Sequence, residues 1–309
     1  MLQFAFISLM LGVAPAPAVP SGKAPLTPQT LWEIKRVGAP TVSPDGRWVA
    51  VSLTSPDVKA DKMPSDIWLL STEGGEARAL TSHEANDGAP AWSPDGKWIA
   101  FESKRGDDEN PQIYVISASG GEARRLTNVP TGASVPKWFP DGRRLAFVSR
   151  VWTDLATWDE MGKRQKERKD SKMSARVFDD ARVRYWDRWL DEREAHVYVV
   201  AVEGGDPVAV TLGAGRPLSR NEVTASSYDV SPDGAEIAFA SDTDSRGTDS
   251  NVDVFVVPSA GGAARNLTAA NPGNDSGPVY SPDGRYLAFG RQTIKGFYGD
   301  RVRLVLHDR

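Results

Sequence analysis

The sequence has no cysteine and only three histidines, His83, His196 and His307. Disulfides, thiolate nucleophiles and thiolate metal sites are therefore excluded. Too few imidazoles remain for a His-rich metal centre. Basic charge is not in excess. The net charge is −4 and no basic stripe occurs, which argues against a nucleic-acid partner. The apolar run Phe4 to Val13 is too short to span a membrane. No Gly-x-Ser-x-Gly string occurs in the 309 residues, so the nucleophile turn of a hydrolase is missing. No catalytic residue, metal or cofactor is expected from these residues.

What is present is a repeat. Ser43-Pro44-Asp45-Gly46 precedes Arg47-Trp48-Val49-Ala50-Val51, and the unit returns with Asp95-Gly96, Asp141-Gly142, Asp233-Gly234 and Asp283-Gly284. Pro presets φ for the second position of a turn, Asp suits the third, and Gly accepts the left-handed conformation that follows. These acids and glycines are read as structural turn residues. An apolar-Ala-apolar strand follows every turn, with Ala50, Ala100, Ala146, Ala238 and Ala288 at its centre. Two positions before each Pro stands Val42, Trp92, Trp138, Val230 or Tyr280, read as a buried strand position. A third strand then leads to a double-Gly turn at Gly74-Gly75, Gly120-Gly121, Gly204-Gly205 and Gly261-Gly262. A last strand ends on Thr81, Thr127, Thr211 or Thr268. Four short antiparallel strands repeated at this period predict an all-β chain, a β-propeller of four-stranded blades.

The turn spacings are 50, 46, 92 and 50 residues. The long one places an insertion at 151–194, between the second and third strands of blade three. Both of its halves read as helix from their mixed charges. Four blades read as complete. The fifth stops after its third strand, Val302 to Leu306, so the chain reads as a fragment or shortened relative of something longer. Residues 1–18, ending in Ala16-Pro17-Ala18, read as a signal peptide and imply a periplasmic or secreted protein. Residues 19–38 read as a linker and a short helix capped by Thr27-Pro28, and 39–309 as the incomplete propeller.

Three strings invite a chemical reading. Ser134-Val135-Pro136-Lys137 has the Ser-x-x-Lys pattern but falls on a blade strand. Asp242, Asp244, Gly247, Ser250 and Asp253 have calcium-loop spacing, spoiled by Arg246; like Asp107 to Asn110, they read as a solvated loop. The insertion is the strongest candidate. Read as helix, it puts Tyr185 and Trp189 on one face, with Trp186 beside them and Asp187, Asp191, Glu192 and Glu194 around them. Aromatics beside carboxylates suit a ligand amine.

The repeats resemble those of the periplasmic protein TolB and of the propellers in prolyl-oligopeptidase-family serine peptidases. The entry Leu26-Thr27-Pro28 is similar to that of the peptidase propellers. The segment Ala175 to Asp179, Arg184 to Trp189 and His196 to Val199 resembles an insertion in the bacterial dipeptidyl-peptidase and acylaminoacyl-peptidase branch. That resemblance implies a substrate-gating propeller, a hydrolase domain in cis that carries the catalytic residues, and a peptide substrate. This chain itself is then expected to be non-catalytic. It also implies that acids on the insertion, Asp191, Glu192 or Glu194, hold a substrate's amino terminus. A TolB-like propeller that binds partner proteins is the alternative.

Overall fold

The computed structural model describes residues 26–175, 177–178, 183–219, 222–244 and 251–309. The leader and most of the linker, and the middle of the calcium-like loop, lie outside them. Helix α1 (Pro28–Glu33) opens the described chain, with the Thr27 side chain accepting from the Thr30 amide. Blade one follows as β1 (Arg36–Val37), β2 (Thr41–Val42), β3 (Trp48–Thr54), β4 (Ser65–Ser71) and β5 (Arg78–Ala79). Blade two holds β6 (Asp87–Trp92), β7 (Trp98–Ser103), β8 (Gln112–Ser117) and β9 (Arg124–Arg125). Blade three begins with β10 (Ser134–Trp138) and β11 (Arg144–Val151). Its insertion contains α2 (Trp158–Asp170), β12 (Arg184–Tyr185) and β13 (Arg188–Trp189), and β14 (Glu194–Ala201) and β15 (Val208–Ala209) complete the blade. Blade four is β16 (Tyr228–Val230), β17 (Glu236–Asp242), β18 (Val252–Pro258) and β19 (Arg265–Asn266). Blade five has β20 (Asp275–Tyr280), β21 (Tyr286–Arg291) and β22 (Arg303–Asp308). Every sheet is antiparallel, with its strands paired in chain order and with β1 and β2 both pairing with β3.

The turn is built by its serine and aspartate together. In blade one the Ser43 hydroxyl donates to Asp45 Oδ1 at 2.6 Å and accepts from the Trp48 amide, while Asp45 accepts from the Arg47 amide. The glycine that follows has φ 73°, where a side chain would be strained. Blades two, four and five repeat the arrangement around Ser93, Ser231 and Ser281. Blade three has Phe139 in place of the serine, and Asp141 instead accepts from two amides and pairs with Arg144. The terminal threonine is a second clip. Thr81, Thr127, Thr211 and Thr268 each accept from the amide of a third-strand residue, Ile67, Ile113, Val197 and Val254, at 2.9–3.0 Å. All four are buried, so each clip satisfies an amide that water cannot reach.

Four apolar clusters lie between successive blades. Ala50 and Leu69 of blade one meet Ile99 and Phe101 of blade two. Ala100 and Val115 meet Leu145 and Phe147 of blade three. Ala146 and Val199 meet Ile237 and Phe239 of blade four, and Ala238 and Val256 meet Leu287 and Phe289 of blade five. The small central Ala of each second strand is what lets the next sheet lie close. None of these clusters joins blade five to blade one.

The structure corrects several expectations. Helix α1 ends at Glu33 rather than near Gly38, because the chain turns extended at Ile34 and β1 pairs with β3. Blade one therefore starts at Arg36. Val42 is exposed rather than buried, since no described sheet covers its side of blade one. The third strand of blade five is Arg303–Asp308, one residue later at its start. The insertion is helical only in its first half. Thr157 and Glu160 form a capping box for α2, with acids in its first turn and Arg168 and Lys169 in its last. The second half holds a small hairpin instead.

Candidate functional site

Helix α2 is fixed to blade three by Met161, Leu155 and Trp158, the last with its ring 5.0 Å from that of Tyr198. Between α2 and the chain returning to β14 lies a pocket of about 570 Å³. Arg164, Arg168, Met173, Phe178, Asp191 and Glu192 are among its walls. The hairpin sits beside it. Arg184 pairs with Trp189 and Tyr185 with Arg188, across a two-residue turn at Trp186 and Asp187. Trp186 has φ 49°, a strained value for a tryptophan and one that ends any helical reading. Tyr185 and Trp189 are therefore not stacked on a helix face. The Tyr185 and Trp186 rings meet edge-on at 6.4 Å, and Trp189 lies 6.0 Å from Phe178 of the pocket wall.

The structure brings Asp191 and Glu192 to this pocket; Tyr185, Trp186, Trp189 and Glu194 are not in its lining. Both pocket acids already have cations. Asp191 takes a two-pronged contact from Arg193 and lies 3.4 Å from Arg168. Burial works against its charge, but the hydrogen bonds and charge of Arg193, helped by Arg168, prevail and hold its carboxyl below the usual range. Glu192 accepts from the Trp152 indole at 2.6 Å and pairs with Arg168 at 3.2 Å. Glu194 lies 3.5 Å from His196, whose Nδ1 meets the Thr211 hydroxyl at 3.0 Å inside the sheet. Asp191 and Glu192 thus tie the returning chain to α2.

Other strings are structural. Lys137 pairs with Asp229 at 3.0 Å, and Ser134 Oγ donates to a strand carbonyl. In the Asp107 to Asn110 loop, Asp108 accepts from the Tyr114 hydroxyl and pairs with Arg125, while Glu109 pairs with Lys169 of α2. No group of three metal-binding side chains converges among the described residues. No described helix is long and apolar enough to cross a membrane.

A second cleft, of about 520 Å³, lies where blades one and two meet. Ser65, Asn86, Asp87, Glu102 and Ser103 line it. The Asp87 side chain is fully buried; its Oδ2 takes Arg105 at 2.6 Å, and among the described residues its Oδ1 has no hydrogen-bond partner. Glu102 Oε1 accepts from the Val135 amide at 2.7 Å. That amide belongs to a residue with φ 53°, whose carbonyl takes the buried Tyr228 hydroxyl. Two neighbouring blades thus pin a backbone that a β-branched residue resists. Burial raises the Glu102 carboxyl above its ordinary range despite the Val135 hydrogen bond. Asp66 nearby is raised too, by burial and then by the charge of Asp87. This cleft is not among the candidates named from the sequence, although the repeat carries a signal. Asp87 and Asp275 each stand seven positions before a turn proline, where other copies have Val37, Ala133 and Ala225.

Glu102 gives a pH prediction. It binds its proton more tightly folded than unfolded. It therefore favours the fold most below the ordinary glutamate value and less as pH rises through its raised folded value. Glu102→Gln keeps an acceptor for Val135 and removes the charge. We expect its stability relative to wild type to grow as pH rises from about 4 to about 8. Urea midpoints across that range measure it, and a constant gap contradicts the assignment.

The fold and the comparisons together define the class: a β-propeller resembling the N-terminal propeller of prolyl-oligopeptidase-family peptidases. Residues 52–163 match the Tricorn protease N-terminal beta propeller domain. The chain is similar to Dipeptidyl-peptidase 5 of Porphyromonas gingivalis, 29% identical over 292 residues, covering 92% of this chain and 41% of that protein. The Porphyromonas endodontalis protein of the same name is 26% identical over 295 residues, covering 91% and 40%. The chain thus spans about two fifths of the length of these relatives. Among solved structures, an acylaminoacyl peptidase from Pyrococcus horikoshii matches with TM-score 0.64 at 18% identity, over 90% of this chain and 39% of that one. A putative TolB from Agrobacterium tumefaciens matches with TM-score 0.54 at 19% identity, over 89% and 77%. At these identities the structural matches speak for the fold.

Proposed function

We propose that this chain is the substrate-gating propeller of an exported serine peptidase that removes short units from peptide amino termini. The observation that carries this reading is the similarity to Dipeptidyl-peptidase 5 along 92% of the chain. In this reading an α/β-hydrolase domain in cis supplies the nucleophile, and the propeller limits which peptides reach it. The leader read at 1–18 makes export part of the proposal.

Topology supports a role for the insertion. The connections between second and third strands leave each blade at the end opposite the Pro-Asp-Gly turns. The insertion is the largest of these connections, and Trp186 and Trp189 stand 80% and 54% exposed on it. We assign Tyr185 and these two tryptophans to contact with the peptide. Asp191, Glu192 and Glu194 stay candidates for its amine, although arginines and a histidine already face them.

The purified chain is expected to bind a dipeptide amide and to release nothing from dipeptidyl or acyl-aminoacyl chromogenic substrates. Turnover blocked by a serine-directed reagent contradicts the non-catalytic assignment. Peptide binding unchanged in Trp186→Ala/Trp189→Ala removes the insertion from the site. The rival is a TolB-like propeller that binds partner proteins; it predicts no peptide binding at all.

A further inference from the structure

We infer that the cleft between blades one and two is a binding site for a primary ammonium group. The argument rests on the carboxylates of that cleft and is independent of the insertion. Asp87 is wholly buried, lines the cleft, and keeps one oxygen without a hydrogen-bond partner among the described residues. A buried acceptor of that kind is costly to leave unmet. Glu102 lines the same cleft, with a single oxygen engaged by the Val135 amide. Burial raises both the Glu102 and the Asp66 carboxyls, and the charge of Asp87 adds to the rise at Asp66.

The geometry selects among cations. A guanidinium favours a carboxylate with both oxygens open to its fork. Here Asp87 has given Oδ2 to Arg105, and Glu102 has given Oε1 to Val135, so single oxygens remain. A divalent metal needs converging ligands, and no such group of three exists among the described residues. An ammonium has three donors in tetrahedral array and suits separate acceptors. Beside the two acids, the cleft walls carry Ser65, Asn86 and Ser103. Lys104 is on the lining as well, but it is exposed at the rim.

A peptide amino terminus and a lysine side chain offer the same chemistry. Calorimetry on the 309-residue chain separates them with three ligands: glycyl-phenylalaninamide, its N-acetyl form, and Nα-acetyl-lysinamide. At least one amine-bearing ligand is expected to bind about tenfold or more tightly than the blocked peptide, the size of one charge-assisted hydrogen bond. Glu102→Gln, which retains an acceptor for Val135, is expected to abolish that preference. Asp66→Asn, at the neighbouring carboxyl, is expected to weaken it and serves as a second variant. Equal binding of free and blocked ligands overturns the inference. So does a preference that survives Glu102→Gln. If the preference is lost instead in Glu192→Gln, the amine sits on the insertion; this inference falls and the proposed function stands.

Discussion

Arg105→Met is expected to destabilise the chain by about 3–5 kcal/mol, the cost of leaving a buried charge without its partner. Arg105 reaches Asp87 at 2.6 Å, and the Asp87 side chain has no exposed surface. The guanidinium also donates to Ser103 Oγ and lies about 5 Å from the rings of Phe101 and Tyr114. Methionine keeps much of the apolar stem, so the loss reports mainly on charge. Blade five provides an internal control. There Asp275 is equally buried, with one oxygen on Arg291 at 2.7 Å and the other on Asn271 at 2.8 Å. Arg291→Met leaves Asp275 with a donor and should cost less. The double change Asp87→Asn/Arg105→Met should recover most of the loss, because no unpaired charge is then buried. Urea unfolding of the four proteins measures all three statements. A loss under about 1 kcal/mol in Arg105→Met contradicts the assignment of a buried Asp87–Arg105 ion pair.

How much of this was legible depends on distance along the chain. The Ser-Pro-Asp-Gly turn closes its hydrogen bonds within five residues, so the repeat and hence the fold could be read directly. The terminal threonine was visible as a marker, but its partner amide lies 14 residues away, and its function as a clip was not. The second half of the insertion is ambiguous in the sequence because its alternating charges and aromatics fit two periods. Its hairpin turns at Trp186 and Asp187, without the Gly or Asn that announces such a turn. The acids there looked available because their partner Arg168 lies on another element, more than 20 residues earlier. Asp87 was the opposite case. It sits inside a repeat unit, and only comparison of the copies shows a carboxylate where small or apolar residues otherwise stand.

The purified chain is also expected to associate head to tail, and Leu304→Glu/Leu306→Glu to make it monomeric. The reason lies in the repeat. In four blades the residue paired with the central Ala, namely Leu69, Val115, Val199 or Val256, is buried against the next sheet. In blade five that residue is Leu306, opposite Ala288, and it is 63% exposed; Leu304, opposite Gly290, is 78% exposed. Val279 is opposite Ala288 on the other side and half-exposed, so three apolar side chains share one open face. Blade one leaves the complementary face open, with Val42 and Leu70 exposed where blade two buries Ile116. An open face of the first kind meets one of the second kind at every internal junction. Contact between copies therefore repeats a packing the chain already uses four times, and such a heterologous contact does not close on two subunits. Burying the two leucines contributes about 1.5–3 kcal/mol each, so two charges there should weaken association by well over a hundredfold. Light scattering across a concentration series measures this. A wild-type chain that stays monomeric at high concentration shows that the two faces do not meet.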